Sequence, residues 1–121
     1  RGFAEMTRYG LARGARLETL TGLAGLGDLV LTCSSPSSRN FSLGRGLGQG
    51  QDAARLMADR RTVAEGAFSA AVLASDAAER GVDMPICAAV AQLVTGQAQV
   101  ADIISQLLTR PLTGEGWARF A

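Results

Sequence analysis

The sequence predicts an all-α fold, a compact multi-helix domain of about six to eight helices with no sheet of three or more strands. Two observations carry this. Apolar residues recur nearly throughout at the i, i+3, i+4, i+7 spacing of a half-buried helix, as in Ile86, Ala89, Val90, Leu93 and Val94, and again in Val100, Ile103, Ile104, Leu107 and Leu108. No convincing run alternates apolar with polar residues in the manner of a half-buried strand. Thr62-Val63-Ala64 is the only short extended stretch.

Residues 1–15 form the first helical segment, setting Phe3, Met6 and Leu11 against Arg8 and Arg13, with Gly10 and Gly14 weakening it. The chain opens abruptly inside this pattern, so a truncated start is expected. Residues 19–33 hold one acid, Asp28, among Leu20, Leu23, Leu26, Leu29, Val30 and Leu31. They predict a helix buried on most sides, in which Gly22, Gly25 and Gly27 let a backbone or a ligand come close. Residues 34–38 are the one clear loop, and a helix starting near Ser37 runs into Gly44, Gly46, Gly48 and Gly50. A short helix is expected over 51–59 around Leu56 and Met57. A longer one covers 66–80 and stops at Gly81. Asp83 is the expected cap of the next, with Pro85 in its first turn, where a missing N–H costs nothing, and Gly96 as its stop. Trp117 and Phe120 in the tail are expected to dock back on the body.

The composition excludes several classes of function. Net charge is +1 and the twelve basic residues, all Arg, are scattered among 11 acids, which argues against a nucleic-acid grip. No apolar run is long enough to span a bilayer and no signal-peptide pattern opens the chain. Cys33 and Cys87 form no CxxC pair, and with no His there is no zinc set; they read as small, buried, unpaired thiols. With neither Lys nor His, the commonest proton-transfer groups are missing.

The glycine clusters Gly25-Leu26-Gly27 and Gly44-Arg45-Gly46 do not complete G-x-G-x-x-G, because Val30 and Gln49 stand where the third glycine belongs. Neither follows a predicted strand. Asp28 is costly to bury unpartnered. It is either a solvated or Arg-paired acid at a helix edge, or an acceptor for a polyol hydroxyl or a catalytic ammonium. Ser38-Arg39-Asn40 follows the loop at a helix start, where free N–H groups, a guanidinium, a hydroxyl and an amide would make a phosphate cradle. On spacing alone, Ser37 or Ser38 as a simple cap and Arg39 as a solvated charge is the better reading. Arg60-Arg61 reads as a solvated pair. Glu65-Gly66 is either a helix start or a ribose contact.

The run Gly22-Leu23-Ala24-Gly25-Leu26-Gly27-Asp28-Leu29-Val30-Leu31-Thr32-Cys33, followed after the serine loop by Ser38-Arg39-Asn40, resembles a signature of the bacterial-type NAD(P)-dependent glycerol-3-phosphate dehydrogenases. The likeness continues through Leu43-Gly44 and Leu47-Gly48-Gln49-Gly50 to Val63-Ala64-Glu65-Gly66. The resemblance implies a two-domain enzyme, a Rossmann domain followed by a helical domain like the C-terminal domain of the 6-phosphogluconate dehydrogenase-like superfamily. Residues 1–121 would be that second, substrate-binding domain. It implies interconversion of sn-glycerol 3-phosphate and dihydroxyacetone phosphate with NAD or NADP, in the cytoplasm, feeding phospholipid synthesis. The implied partners are the two substrates, the chain's own N-terminal Rossmann domain and, as a further association, a second copy in a homodimer.

Residue by residue, the resemblance implies that Asp28, Ser38, Arg39 and Asn40 contact substrate, and that Arg39, Val63 and Glu65 contact the cofactor. The family's general base is a lysine upstream of a stretch like Arg1-Gly2-Phe3-Ala4-Glu5-Met6. This chain begins at that stretch and has no lysine, so no catalytic base is expected in it and the chain alone is expected to be inactive. The alternative is a non-catalytic helical dimerisation or scaffold module. That reading predicts no ligand pocket, with Asp28 and Arg39 apart and solvated.

Overall fold

The computed structural model describes residues 1–58 and 64–111. Among them lie eight α-helices, one π-helical turn and no strand. In order these are α1 (Gly2–Ala12), α2 (Leu17–Thr21), the π-helical turn (Leu23–Gly27), α3 (Asp28–Ser34), α4 (Arg39–Gly48), α5 (Ala53–Ala58), α6 (Glu65–Glu79), α7 (Pro85–Val94) and α8 (Val100–Leu108). The all-α expectation holds. Of the extended stretch, Thr62 and Val63 lie outside the described residues, as do Trp117 and Phe120. Ala64 has extended dihedrals, φ −82° and ψ 127°.

The α6–α7 pair is the scaffold, and α7 also packs against α1, α5 and α8. The interior is lined by small side chains. Ala67, Ala70 and Ala77 of α6, Ala89 of α7 and Ile103 of α8 are buried. The alanines stand three and seven residues apart, on one face of α6, so the helices meet with backbones close rather than through large interlocking chains. Gly81 and Gly96 take φ +68° and +72°. Each closes a Schellman motif: Gly81 and Val82 donate to the Ala78 and Ala77 carbonyls, and Gly96 and Gln97 donate to those of Leu93 and Gln92. These are the stops the sequence predicts.

Three expectations are corrected. Residues 19–33 are not one buried helix. α2 ends where Gly22 turns extended (ψ −165°), and the chain re-enters helix through the π-helical turn. Gly25 permits this, since a Cβ there would run into the Leu20 backbone. The apolar residues of the segment largely face outward: Leu23 is 90%, Leu31 66% and Val30 57% exposed. Cys33 is unpaired but exposed, not buried, because it shares that outward-facing helix.

The third correction concerns the cap of α7. Met84, not Asp83, is the N-cap residue and offers no side-chain acceptor. Glu5 of α1 supplies it instead. Its carboxylate, 3% exposed, accepts from Ile86 N at 2.6 Å and Cys87 N at 3.1 Å. Pro85 has no N–H and Ala88 N already donates to Met84 O, so every first-turn donor is satisfied. Asp83 is drawn elsewhere: its carboxylate takes Arg110 at 2.6 Å and its carbonyl takes Arg8.

Candidate functional site

Ser38 stands at the N-cap of α4 in extended conformation, its Oγ accepting from Phe41 N at 3.3 Å. The serine loop is fixed to the same helix, with Ser42 Oγ donating to Pro36 O at 2.9 Å and Ser38 N to Ser35 O at 3.0 Å. Both readings of this serine are therefore compatible: the cap uses its oxygen and leaves the hydroxyl proton to donate. Arg39 and Asn40 follow as the first two helical residues, both exposed. Helix geometry leaves their backbone N–H groups without intrahelical partners.

Asn40 Oδ1 accepts from Gly66 N at 3.2 Å. Gly66 is the second residue of α6, whose N-cap, Ala64, has no side-chain acceptor. The start of α4 is thereby tied to the start of α6, and Glu65, exposed as the first residue of α6, is brought beside the Ser38-Arg39-Asn40 triplet. Val63 lies outside the described residues.

Asp28 is exposed at the first position of α3. At 1.5 Å rise per residue, the seven-residue helix sets it about 9 Å from the end that leads into the serine loop. α3 packs against α4. Among the described residues, the side chains of Asp28, Arg39 and Glu65 make no hydrogen bond or ion pair, and all three are exposed. The structure thus joins the triplet to Glu65 through Asn40, and makes no direct bond from Asp28 to either.

Two further clusters are structural. Tyr9 Oη donates to Asp76 Oδ2 at 2.6 Å, Arg80 Nε donates to the same oxygen at 2.9 Å, and Arg13 approaches it at 3.9 Å. The Tyr9 hydroxyl, then Arg80, holds the Asp76 carboxyl below its ordinary range, and the same bond to Asp76 pushes the Tyr9 hydroxyl up. A cleft of about 230 Å³ lies between α1, α7 and α8, lined by Arg1, Arg8 and Arg110 among others. Its cations are occupied. Arg1 donates to Leu107 O and Arg110 O, and Arg110 pairs with Asp83. Among the described residues there is no group of three or more metal-ligating side chains, and no helix is long and apolar enough to cross a membrane.

Sequence reasoning placed Gly66 at a helix start, where it lies, but missed its bond to Asn40, and it missed Glu5 as a cap. The available signal was the residue at each helix start: Ala64 and Met84 offer no side-chain acceptor, which leaves the first-turn N–H groups open to one from elsewhere in the chain.

A family model described as NAD-dependent glycerol-3-phosphate dehydrogenase C-terminus matches residues 1–105. Among curated relatives, glycerol-3-phosphate dehydrogenase (NAD(P)+) 1 of Sphingopyxis alaskensis is 67% identical over 116 residues, covering 96% of this chain and 35% of that protein. Glycerol-3-phosphate dehydrogenase (NAD(P)+) of Novosphingobium aromaticivorans is 64% identical over 115 residues, 95% of this chain and 35% of that protein. The enzyme of the same name from Erythrobacter litoralis is 63% identical over 115 residues, 95% of this chain and 34% of that protein. The chain spans 34–35% of the length of these relatives.

Proposed function

We propose, from the premise that the chain belongs to the NAD-dependent glycerol-3-phosphate dehydrogenase C-terminus family, that it is the substrate-binding part of an oxidoreductase. The reaction is the interconversion of sn-glycerol 3-phosphate and dihydroxyacetone phosphate with NAD or NADP, a cytoplasmic step that feeds phospholipid synthesis. The observation that carries this reading is the Asn40–Gly66 bond, which ties the Ser38-Arg39-Asn40 triplet to Glu65.

The donor set suits a phosphate. Arg39 offers a forked cation, Ser38 a hydroxyl proton, and the start of a ten-residue helix its free N–H groups and positive dipole end. Arg39 and Glu65, with Val63, would hold the cofactor edge. NAD(P) supplies the hydride acceptor and donor when bound. Everything else this chain does is positioning. Arg39 grips the phosphate, and that remote binding energy holds the reacting carbon in place. Asp28 orients the reacting hydroxyl or the ammonium of the base. Lacking Lys and His, the chain draws its general base from the rest of the longer protein. Leu23, Val30 and Leu31, exposed on either side of Asp28, suit cover by the enzyme's own N-terminal domain, which would dry the site. A homodimer is a further association of the whole enzyme.

The test is steady-state kinetics on the full-length protein carrying this sequence. Arg39→Ala should raise KM for glycerol 3-phosphate and lower kcat, costing about 2–4 kcal/mol in kcat/KM. Arg39→Lys should recover only part, since a point charge lacks the fork. Both constants remaining within about twofold of wild type in Arg39→Ala would refute the assignment.

A further inference from the structure

We propose that Asn40 and Gly66 form a positioning latch that couples the substrate-gripping start of α4 to the cofactor-side start of α6. In it the Asn40 amide commits its oxygen to the protein and offers only its NH2 to substrate. The proposal rests on the functional reading above and adds to it a positioning residue, Gly66, and a division of labour within one side chain.

The Gly66 N–H belongs to the first turn of α6, where the helix has no carbonyl to receive it. Ala64 cannot cap it. Asn40 Oδ1 does so across 26 residues of sequence, at 3.2 Å. An N–H group can be met only by an acceptor, so this contact fixes which way round the amide sits. The carbonyl oxygen faces Gly66, and both amide protons stay available. Those are donors, the polarity that a phosphate or hydroxyl oxygen requires.

What an added Cβ at Gly66 would disturb is the close contact itself, not the backbone dihedrals: the Asn40 amide would have to swing away and release the N–H. The Gly66 φ is not positive. A Cβ on it, however, would stand 2.7 Å from Asn40 Oδ1 and 3.2 Å from Asn40 Cγ. Alanine is the better helix former, so glycine here gives up helix propensity in exchange for that approach. Arg39 precedes Asn40 and Glu65 precedes Gly66, so each latched residue is the chain neighbour of a residue assigned to ligand. Displacing one helix start displaces the other.

A four-variant cycle in the full-length protein tests this: wild type, Asn40→Ala, Gly66→Ala and the double variant. The readouts are thermal midpoint, KM for sn-glycerol 3-phosphate and KM for NAD or NADP. Gly66→Ala should lower the midpoint of wild type, yet leave unchanged or raise that of Asn40→Ala, where the clash is gone. Each single variant should raise both KM values about fivefold, the worth of one hydrogen bond, and the double should be no worse than the worse single.

Asn40→Asp separates the two halves of the amide. It keeps an acceptor for Gly66, so cofactor KM should stay within about twofold, while substrate KM rises about tenfold or more from lost donors and charge repulsion. Additive midpoints would overturn the latch. So would Gly66→Ala leaving both KM values unchanged, or Asn40→Asp and Asn40→Ala raising cofactor KM alike. If wild type turns over no glycerol 3-phosphate, the functional reading falls, and the midpoint cycle alone then decides the latch.

Discussion

Replacing Glu5 should cost this domain several times what an ordinary charged residue on a helix costs, because Glu5 is buried and caps another helix. Its carboxylate is 3% exposed and accepts two backbone N–H groups, at 2.6 and 3.1 Å. Hydrogen bonds to a charged acceptor contribute about 1.5–3 kcal/mol each. They lie at the positive end of α7, which adds a favourable dipole term. Glu5→Ala strands both donors and opens a void between α1 and α7, so a loss of about 3–5 kcal/mol is expected, a large share of the roughly 5–15 kcal/mol typical of a domain. Glu5→Gln keeps the shape and one acceptor oxygen but turns an NH2 toward the other donor, and should cost about 1.5–3 kcal/mol.

Urea unfolding followed by circular dichroism reads these values directly, and the m-value should not change. In a thermal melt, Glu5→Gln should fall roughly 5–15 °C below wild type, with Glu5→Ala lower still. The reasoning is refuted if Glu5→Gln melts within about 2 °C of wild type, because the buried carboxylate would then not be holding α7.

Asp28→Asn in the full-length enzyme should lower kcat more than it raises KM for glycerol 3-phosphate, as expected of an orienting group; a pure KM effect would reassign it to binding. The 121-residue chain alone should produce no NADH from glycerol 3-phosphate, and steady turnover by pure chain would show that the base lies within it. Thiol labelling of the native protein should be biphasic: Cys33, exposed, reacts fast, while Cys87, pushed up by burial and by Glu5, reacts slowly, and two thiols count after denaturation. Asp76 is held low by Tyr9 and Arg80, so its contribution is intact above the ordinary carboxylate value near about 4 and is lost as pH falls through the lower folded value. Tyr9→Phe should therefore flatten the acid side of the stability profile, and an unchanged profile would show that the bond carries no linkage.

What was legible in the sequence was whatever is encoded locally. Helical periodicity placed α6, α7 and α8 nearly to the residue, because their apolar positions repeat at one spacing and Gly81 and Gly96 end two of them in positive φ. Residues 19–33 are hydrophobic without being buried, so their composition points to the wrong structure. Gly22 and Gly25 break the helix there, and Leu23, Val30 and Leu31 point outward. Of the site, Ser38 was readable as a cap, since its partner lies three residues on. Asn40 was named for its motif, but its actual partner, Gly66, was invisible because nothing local links the two. The cap of α7 was assigned to the nearest acid, Asp83, when the chain uses one 81 residues from Ile86.

Those two long-range caps explain how helices with few large buried side chains among the described residues are held in register. α6 begins at Ala64 and α7 at Met84, and neither residue can satisfy the N–H groups that follow. Each helix start is therefore correct only when another helix is in place, α4 for α6 and α1 for α7. α1 also holds α6 near its other end, through Tyr9 and Asp76, eleven residues or about 16 Å of helix beyond Glu65. Fixed at both ends, α6 carries Glu65 on a rod rather than on a loop. Alanine contacts alone would let such helices slide, because small side chains interlock weakly; directional hydrogen bonds set the register that packing leaves open. The starts of α4 and α6, where Arg39, Asn40 and Glu65 stand, are thus held by polar pins on an alanine-lined scaffold.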